Sequence, residues 1–382
     1  MHRDPRAMHY LQQLLLLAPQ NPTANAMAGA LAYESHKCDE TIQYFTASGE
    51  TVDQSANALG EFADCLLKAD QAAQAERVLS RGLQLHPDNI QLKYNLAVAE
   101  LGNHQPDQAV ALLSPLSTVQ DSGLLNLLAS AYVQINRPDD AFRTLEDAIR
   151  ISPEVASNYL DLAILCLDHY QEQRSVQAAT AGISRIPGAA SLYLIRGVAY
   201  AQLGNYDKAE ADFKAAARIQ PDQPHSTIAM SFIYSDRRQV DKEKQLLLNQ
   251  LRITPEDAVT NYLYADLLIR LGAEPGQTAF QQAKKHLAIS LRSRPDSVEA
   301  QVLMGRILEQ ENDPAGALNH FESALKVDPD NQAALNQELL VLRKLHRRDE
   351  TDKVIEHLKS VLTKGLQQGI RATQVRTDSG AR

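Results

Sequence analysis

The chain has few residues in the arrangements that chemistry needs. Its three cysteines are Cys38, Cys65 and Cys166. An odd number at wide spacing is neither a disulfide framework nor a metal motif. Cys65 and Cys166 fall on helical apolar stripes and read as small core residues. There is no glycine-rich phosphate loop, no His-Glu-x-x-His, no Cys-x-x-Cys and no serine elbow. The 11 histidines are scattered, and even His346 and His357 are badly spaced for shared metal ligation. Acid pairs such as Asp139 with Asp140 or Glu309 with Glu311 fall near helix ends or on exposed faces. No catalytic residue, metal or cofactor is therefore expected. No stretch approaches the roughly 20 apolar residues of a membrane-spanning helix, and the apolar run at 14–18 is short for a signal-peptide core. The formal charge is −9 and the pI about 5.7, which argues against a general nucleic-acid binder. One basic cluster, Arg343, Lys344, His346, Arg347 and Arg348, is countered at once by Asp349, Glu350 and Asp352 and reads as solvated surface.

What the chain does have is repetition. In residues 190–223 the landmarks Gly197, Tyr200, Ala209, Phe213, Ala216 and Pro221 stand 3, 9, 4, 3 and 5 residues apart. The same landmarks recur at 298–331 as Met304, Gly305, Ala317, Phe321, Ala324 and Pro329. A weaker copy at 122–155 has Leu128, Ala129, Tyr132, Ala141, Leu145, Ala148 and Pro153. Pro153, Pro187, Pro221 and Pro255 are spaced by 34 residues, as are Pro295 and Pro329. Such a period means stacked helical hairpins. Alanine and glycine let two helices approach, while Tyr200 and Phe213 supply buried area. One hairpin has too little core to stand alone, so neighbours complete it.

These landmarks resemble the tetratricopeptide repeat family, and the resemblance implies an all-α, alpha-alpha superhelix (solenoid) of helix A–helix B hairpins. About ten frames begin at 22, 56, 90, 122, 156, 190, 224, 258, 298 and 332. Residues 1–21 read as a partial repeat or capping helix. Residues 22–331 read as the array, with an insertion near 272–278 and turn glycines at Gly204 and Gly272. Residues 332–364 read as a degenerate last repeat and cap, and 365–382 as a flexible tail.

In this family helix A lines the inner surface. Carried onto this chain, the inward positions are Leu160, Ile164 and Leu167, then Leu194 and Val198, then Ile228 and Phe232, then Tyr262, Asp266 and Ile269. More polar positions follow at Arg306, Asn336 and Arg343. The strip is apolar where carboxylate-clamp members of the family carry lysine, arginine and asparagine, so that subtype is not expected. The expectation is a non-catalytic scaffold whose apolar groove takes a protein or peptide partner. The alternatives are a self-associating solenoid joined through terminal repeats, or the substrate-recruiting region of a larger enzyme. No nucleic acid and no direct membrane insertion are expected. A cytoplasmic setting is expected, or a periplasmic or membrane-associated one if an upstream targeting segment was removed.

Overall fold

The computed structural model describes residues 6–379, with side chains described to residue 364. No strand occurs among the described residues. The chain divides between Ala199 and Tyr200 into two compact units, a division that the uninterrupted period did not signal. The first unit opens with α1 (Ala7–Leu17). Hairpins follow: α2 (Pro22–Glu34) with α3 (Cys38–Ala47), α4 (Ala56–Lys68) with α5 (Ala72–Leu85), and α6 (Ile90–Gly102) with α7 (Pro106–Leu113). Then come α8 (Ser122–Gln134) with α9 (Pro138–Ile151), and α10 (Ala156–Asp168) with α11 (Glu172–Arg185). The boundary falls inside α12 (Ala190–Gln202). The second unit holds α13 (Tyr206–Ile219), α14 (His225–Asp236) with α15 (Val240–Ile253), and α16 (Ala258–Arg270) with α17 (Thr278–Ser293). It ends with α18 (Val298–Gln310), α19 (Pro314–Val327), α20 (Gln332–Lys344) and α21 (Arg348–Ser379). Each unit is thus an all-α solenoid segment of tandem hairpins. The tail expected at 365–382 falls on residues whose side chains, and at 380–382 whose backbone, lie outside the described residues.

Both ends of the A helices are written locally. Asn21, Ser55, Asn89, Asp121, Asp257, Ser297 and Asn331 each cap the helix that follows, accepting a hydrogen bond from the backbone N–H three residues on. These side chains satisfy donors that a helix start leaves orphaned. At the other end, His36, Asp70, His104, Asn136, Tyr170, Arg238, Asn312 and His346 take positive φ, as do Gly204 and Gly272. The next residue's N–H then reaches back to the helix, as in Lys37 to Ala32 and Gln171 to Cys166. This closing turn satisfies the last carbonyls and sends the chain into helix B. Eight of these turns place a side-chain-bearing residue where glycine is favoured, at a cost of roughly 1 kcal/mol each.

Two irregularities have physical causes. Helix α7 stops at Leu113, and Pro115 sits in a short 3₁₀ turn, Ser114–Leu116. Proline inside a helix would clash with the preceding turn, which explains the short repeat there. Between α16 and α17, residues 271–277 form a longer turn than the three residues found between other A and B helices, and α17 has 16 residues against 14 in α15 and α19. The insertion therefore lengthens both the turn and the helix.

Each core patch is shared between successive hairpins. Phe45, Leu59, Phe62, Leu79 and Leu92 form one in the first unit. Leu247, Leu263, Phe280, Leu287, Leu303 and Met304 form one in the second. Buried amides tie hairpin to hairpin. Asn25, Asn261 and Gln301 donate to the carbonyls of Pro19, Pro255 and Pro295 at 2.9, 2.8 and 2.7 Å. The repeated proline thus supplies an acceptor as well as a helix stop.

The cysteines correct one expectation. Cys38 and Cys65 are disulfide-bonded, with Cα atoms 5.0 Å apart. Cys38 opens α3 and Cys65 lies in α4, so hairpin stacking joins residues 27 apart, a proximity that linear spacing does not show. Cys65 remains fully buried, and Cys166 is buried and free. Burial pushes the Cys166 thiol up to about 11, so it is inert at neutral pH.

Glu100 on α6 is only 7% exposed, and its Oε2 has no hydrogen-bond partner. Burial, with the nearby Glu76 charge second, pushes its carboxyl up to about 7. The folded protein therefore keeps a proton there that the unfolded chain releases in the ordinary carboxylate range. That stability is complete at low pH and is lost as pH rises through about 7. Glu100→Gln should stabilise the first unit by about 2 kcal/mol at pH 8 and little at pH 5. Thermal unfolding of both proteins at the two pH values checks this; equal gains at both would overturn it.

Candidate functional site

Within each unit the A helices carry the residues singled out from the sequence. In the first unit, Leu160 and Leu167 are half-buried, whereas Ile164 is 40% exposed. Leu194 and Val198 on α12 are half-buried. In the second unit, Ile228 and Ile269 pack on the core patch around Leu263 and Phe280, so packing accounts for them. Phe232 is 61% exposed. Tyr262 and Asp266 are half-buried, and Arg306, Asn336 and Arg343 are exposed.

The structure brings three of these together. Phe232, Tyr262 and Asp266 line a cavity of about 610 Å³ formed by α14–α18. Val259 and Leu263 add apolar wall, and Ser231, Ser235, Glu243, Arg270, Arg294 and Glu299 add polar wall. An adjoining cavity of about 210 Å³ shares Tyr262, Asp266 and Glu299 and adds Arg306. Burial foremost, with the negative charges of Asp266 and Glu299, pushes the Tyr262 hydroxyl up to about 12, so it stays a hydrogen-bond donor. Ile164 lines a separate cavity of about 580 Å³ in the first unit.

Among the residues of the larger cavity not singled out from the sequence, Glu243 and Arg270 form an ion pair in its wall. Glu243 is 1% exposed. Its Oε1 accepts from Arg270 Nη2 at 2.7 Å and from Ser231 Oγ at 3.3 Å, while its Oε2 has no partner. Arg270 also donates to Asp266 Oδ2 at 2.7 Å and to Ser235 Oγ at 3.1 Å. A signal existed: Glu243 stands one period after Ala209, where the landmark alanine belongs. A long acid there needs a cation, and Arg270 from the next A helix supplies it.

Among the described residues, no three or more His, Cys, Asp or Glu are grouped to hold a metal ion. No described helix is long and apolar enough to cross a membrane. Helix α1 buries none of its residues, leaving Leu16 and Leu17 82% and 87% exposed.

Tandem antiparallel hairpins with small residues at their contacts define an α-helical repeat protein. Family models described as tetratricopeptide repeat match residues 66–131, 122–155, 190–223 and 276–334. The chain is a tetratricopeptide-repeat protein. It is 31% identical over 176 residues to the DnaJ homolog subfamily C member 7 homolog of Schizosaccharomyces pombe, covering 42% of this chain and 37% of that protein. It is 24% identical over 359 residues to the cellulose synthase 2 operon protein C of Komagataeibacter xylinus, covering 86% of this chain and 27% of that protein. The chain thus spans well under half the length of these relatives. The crystal structure of yeast Tom70 has the same kind of fold, with a TM-score of 0.50 at 16% identity, covering 97% of this chain and 94% of that one.

Proposed function

We propose that the protein is a non-catalytic scaffold that holds a segment of a protein partner against the A helices of its second unit. The observation that carries this reading is Phe232. A phenylalanine 61% exposed above a cavity of about 610 Å³ leaves apolar area in water that a partner would cover. Tyr262 adds an aromatic wall with a donor at its tip, and Asp266, Glu299 and Arg306 add polar contacts for specificity. Alignment over 86% of the chain with a protein named for a cellulose synthase operon favours a place in a polysaccharide-synthesising assembly. The Cys38–Cys65 disulfide favours an oxidising compartment.

Peptides selected from a displayed random library against the intact chain test the reading. Phe232→Ala should weaken the selected peptides about tenfold or more, because exposed aromatic anchors dominate such interfaces. The unfolding temperature should hardly move, since little buried area is lost. Unchanged affinity would remove Phe232 from the site. A large unfolding shift would place it in the core.

A further inference from the structure

The cavity of about 580 Å³ in the first unit differs in chemistry from the Phe232 cavity. Its floor is α8 and α10, with Tyr94 contributed by α6. Leu127, Val133, Leu145, Ile164 and Leu165 give it apolar walls, and Val133 and Ile164 are 42% and 40% exposed. No lysine, arginine or histidine lines it, but Asp161 and Asp168 do. They stand two turns apart on α10, about 10 Å along the axis, with Ile164 between them. Neither carboxylate has a hydrogen-bond or ion-pair partner among the described residues.

A third group sharpens the pattern. Asn126 lines the cavity, and its Oδ1 is buried without a partner. Its orientation is fixed by a chain of hydrogen bonds. Asn158 Nδ2 donates to the carbonyls of Ala148 and Ser152 at 3.0 and 2.9 Å. Asn158 must therefore present its oxygen to Asn126, whose Nδ2 donates to it at 3.0 Å. The Asn126 oxygen is left as an acceptor with nothing to accept. Two carboxylates and one amide oxygen are acceptors without exception. Burial also raises the Asp161 carboxyl above its ordinary value, as expected of a charge waiting for a counter-charge.

We infer that this cavity is a second binding site, which takes a lysine or arginine side chain from an apolar segment of a protein partner. The aliphatic stem of such a side chain lies against Val133 and Ile164, and its cationic head pairs with one of the two carboxylates, while the other carboxylate, two turns along α10, and the Asn126 oxygen add to the attraction. An acidic or neutral polar side chain leaves these acceptors unpaired. The site stands on the first unit alone, so it does not depend on Phe232.

The test uses the intact chain and short capped fluorescent peptides alternating leucine with lysine, arginine, Nε-acetyl-lysine or glutamate, read by anisotropy at low salt. The lysine and arginine peptides should bind at least about tenfold more tightly than the other two, as charge pairing in a partly buried site predicts. Asp161→Asn with Asp168→Asn should abolish that preference without lowering the unfolding temperature, since burial already disfavours the Asp161 charge. Asp88→Asn with Asp107→Asn, which removes the same charge from exposed positions outside the cavity, should keep it, as should Phe232→Ala. Equal binding of lysine and acetyl-lysine peptides would overturn the assignment. So would equal loss in the two doubly neutralised variants, which would reveal only the attraction of an acidic protein for a basic peptide.

Discussion

Gly305→Leu is expected to lower the unfolding temperature of the second unit by about 10 °C, a loss of roughly 3 kcal/mol. Gly305 lies in α18, facing Phe321 of α19, which is fully buried. A Cβ at position 305 would meet Phe321 Cζ at 2.7 Å and Cδ1 at 2.9 Å, closer than carbon atoms can rest. The ring has nowhere to go, because its neighbours Ala317, Leu318, Val341 and Leu342 are buried in the same patch. Phe321→Leu alone leaves a void and should cost stability as well. Gly305→Ala with Phe321→Leu should cost less than the sum of its parts, since the smaller side chain makes room for the methyl group. Circular-dichroism melting of the single and double variants tests the contact. Additive losses would show that the two positions do not touch. Gly29 faces Phe45 in the same way, with a Cβ placed 2.7 Å from the ring, so the first unit offers a second measurement of the same device.

The landmark glycines, alanines and phenylalanines made the hairpins legible because that contact repeats. Wherever a small residue meets Phe45 or Phe321, the spacing of the pair along the chain follows from helix geometry alone. The A helices open at Pro22, Ala56, Ile90, Ser122, Ala156, Ala190, His225, Ala258, Val298 and Gln332, within one residue of the frames read from those landmarks. The closing turns were far less legible. Glycine marks only two of them, and tyrosine, arginine and histidine adopt the same left-handed conformation elsewhere, because the hydrogen bonds of the turn outweigh the local steric cost. The disulfide was illegible for another reason: Cys38 and Cys65 meet through the stacking of successive hairpins, and neither residue alone is unusual.

The candidate site was legible in outline only. The period puts Ile164, Phe232, Tyr262 and Asp266 on A helices. Whether a given side chain stands open depends on the volume of its neighbours on the next helix. Ile228 and Phe232 sit one turn apart on α14, yet the first packs on the core and the second stands in solvent. Nor does a residue-by-residue reading see acceptors left over. The unpaired Asn126 oxygen becomes apparent only when the hydrogen bonds of Asn158 are followed to Ala148 and Ser152.

The second large effect is expected at Arg270. Arg270→Leu should destabilise the second unit by about 2–3 kcal/mol, because it leaves the Glu243 carboxylate buried without a counter-charge. The figure is set below that of a wholly buried pair because Arg270 is itself 41% exposed and water screens part of its charge. The arginine also holds Asp266 and Ser235, so its loss frees two walls of the cavity at once. Glu243→Ala in the same chain restores the small residue found at this place in other repeats, as Ala209 and Ala317 are, and should recover most of the stability. Melting of the single and double variants separates the two causes. Recovery would assign the loss to the stranded carboxylate, and no recovery would assign it to the packing of the arginine stem. Peptide affinity adds a further distinction. If the network serves to shape the cavity, Arg270→Leu/Glu243→Ala should be stable yet bind selected peptides weakly. A stable double variant with full affinity would mean that Glu243 and Arg270 only hold α14, α15 and α16 together, leaving Phe232 and Tyr262 to do the binding.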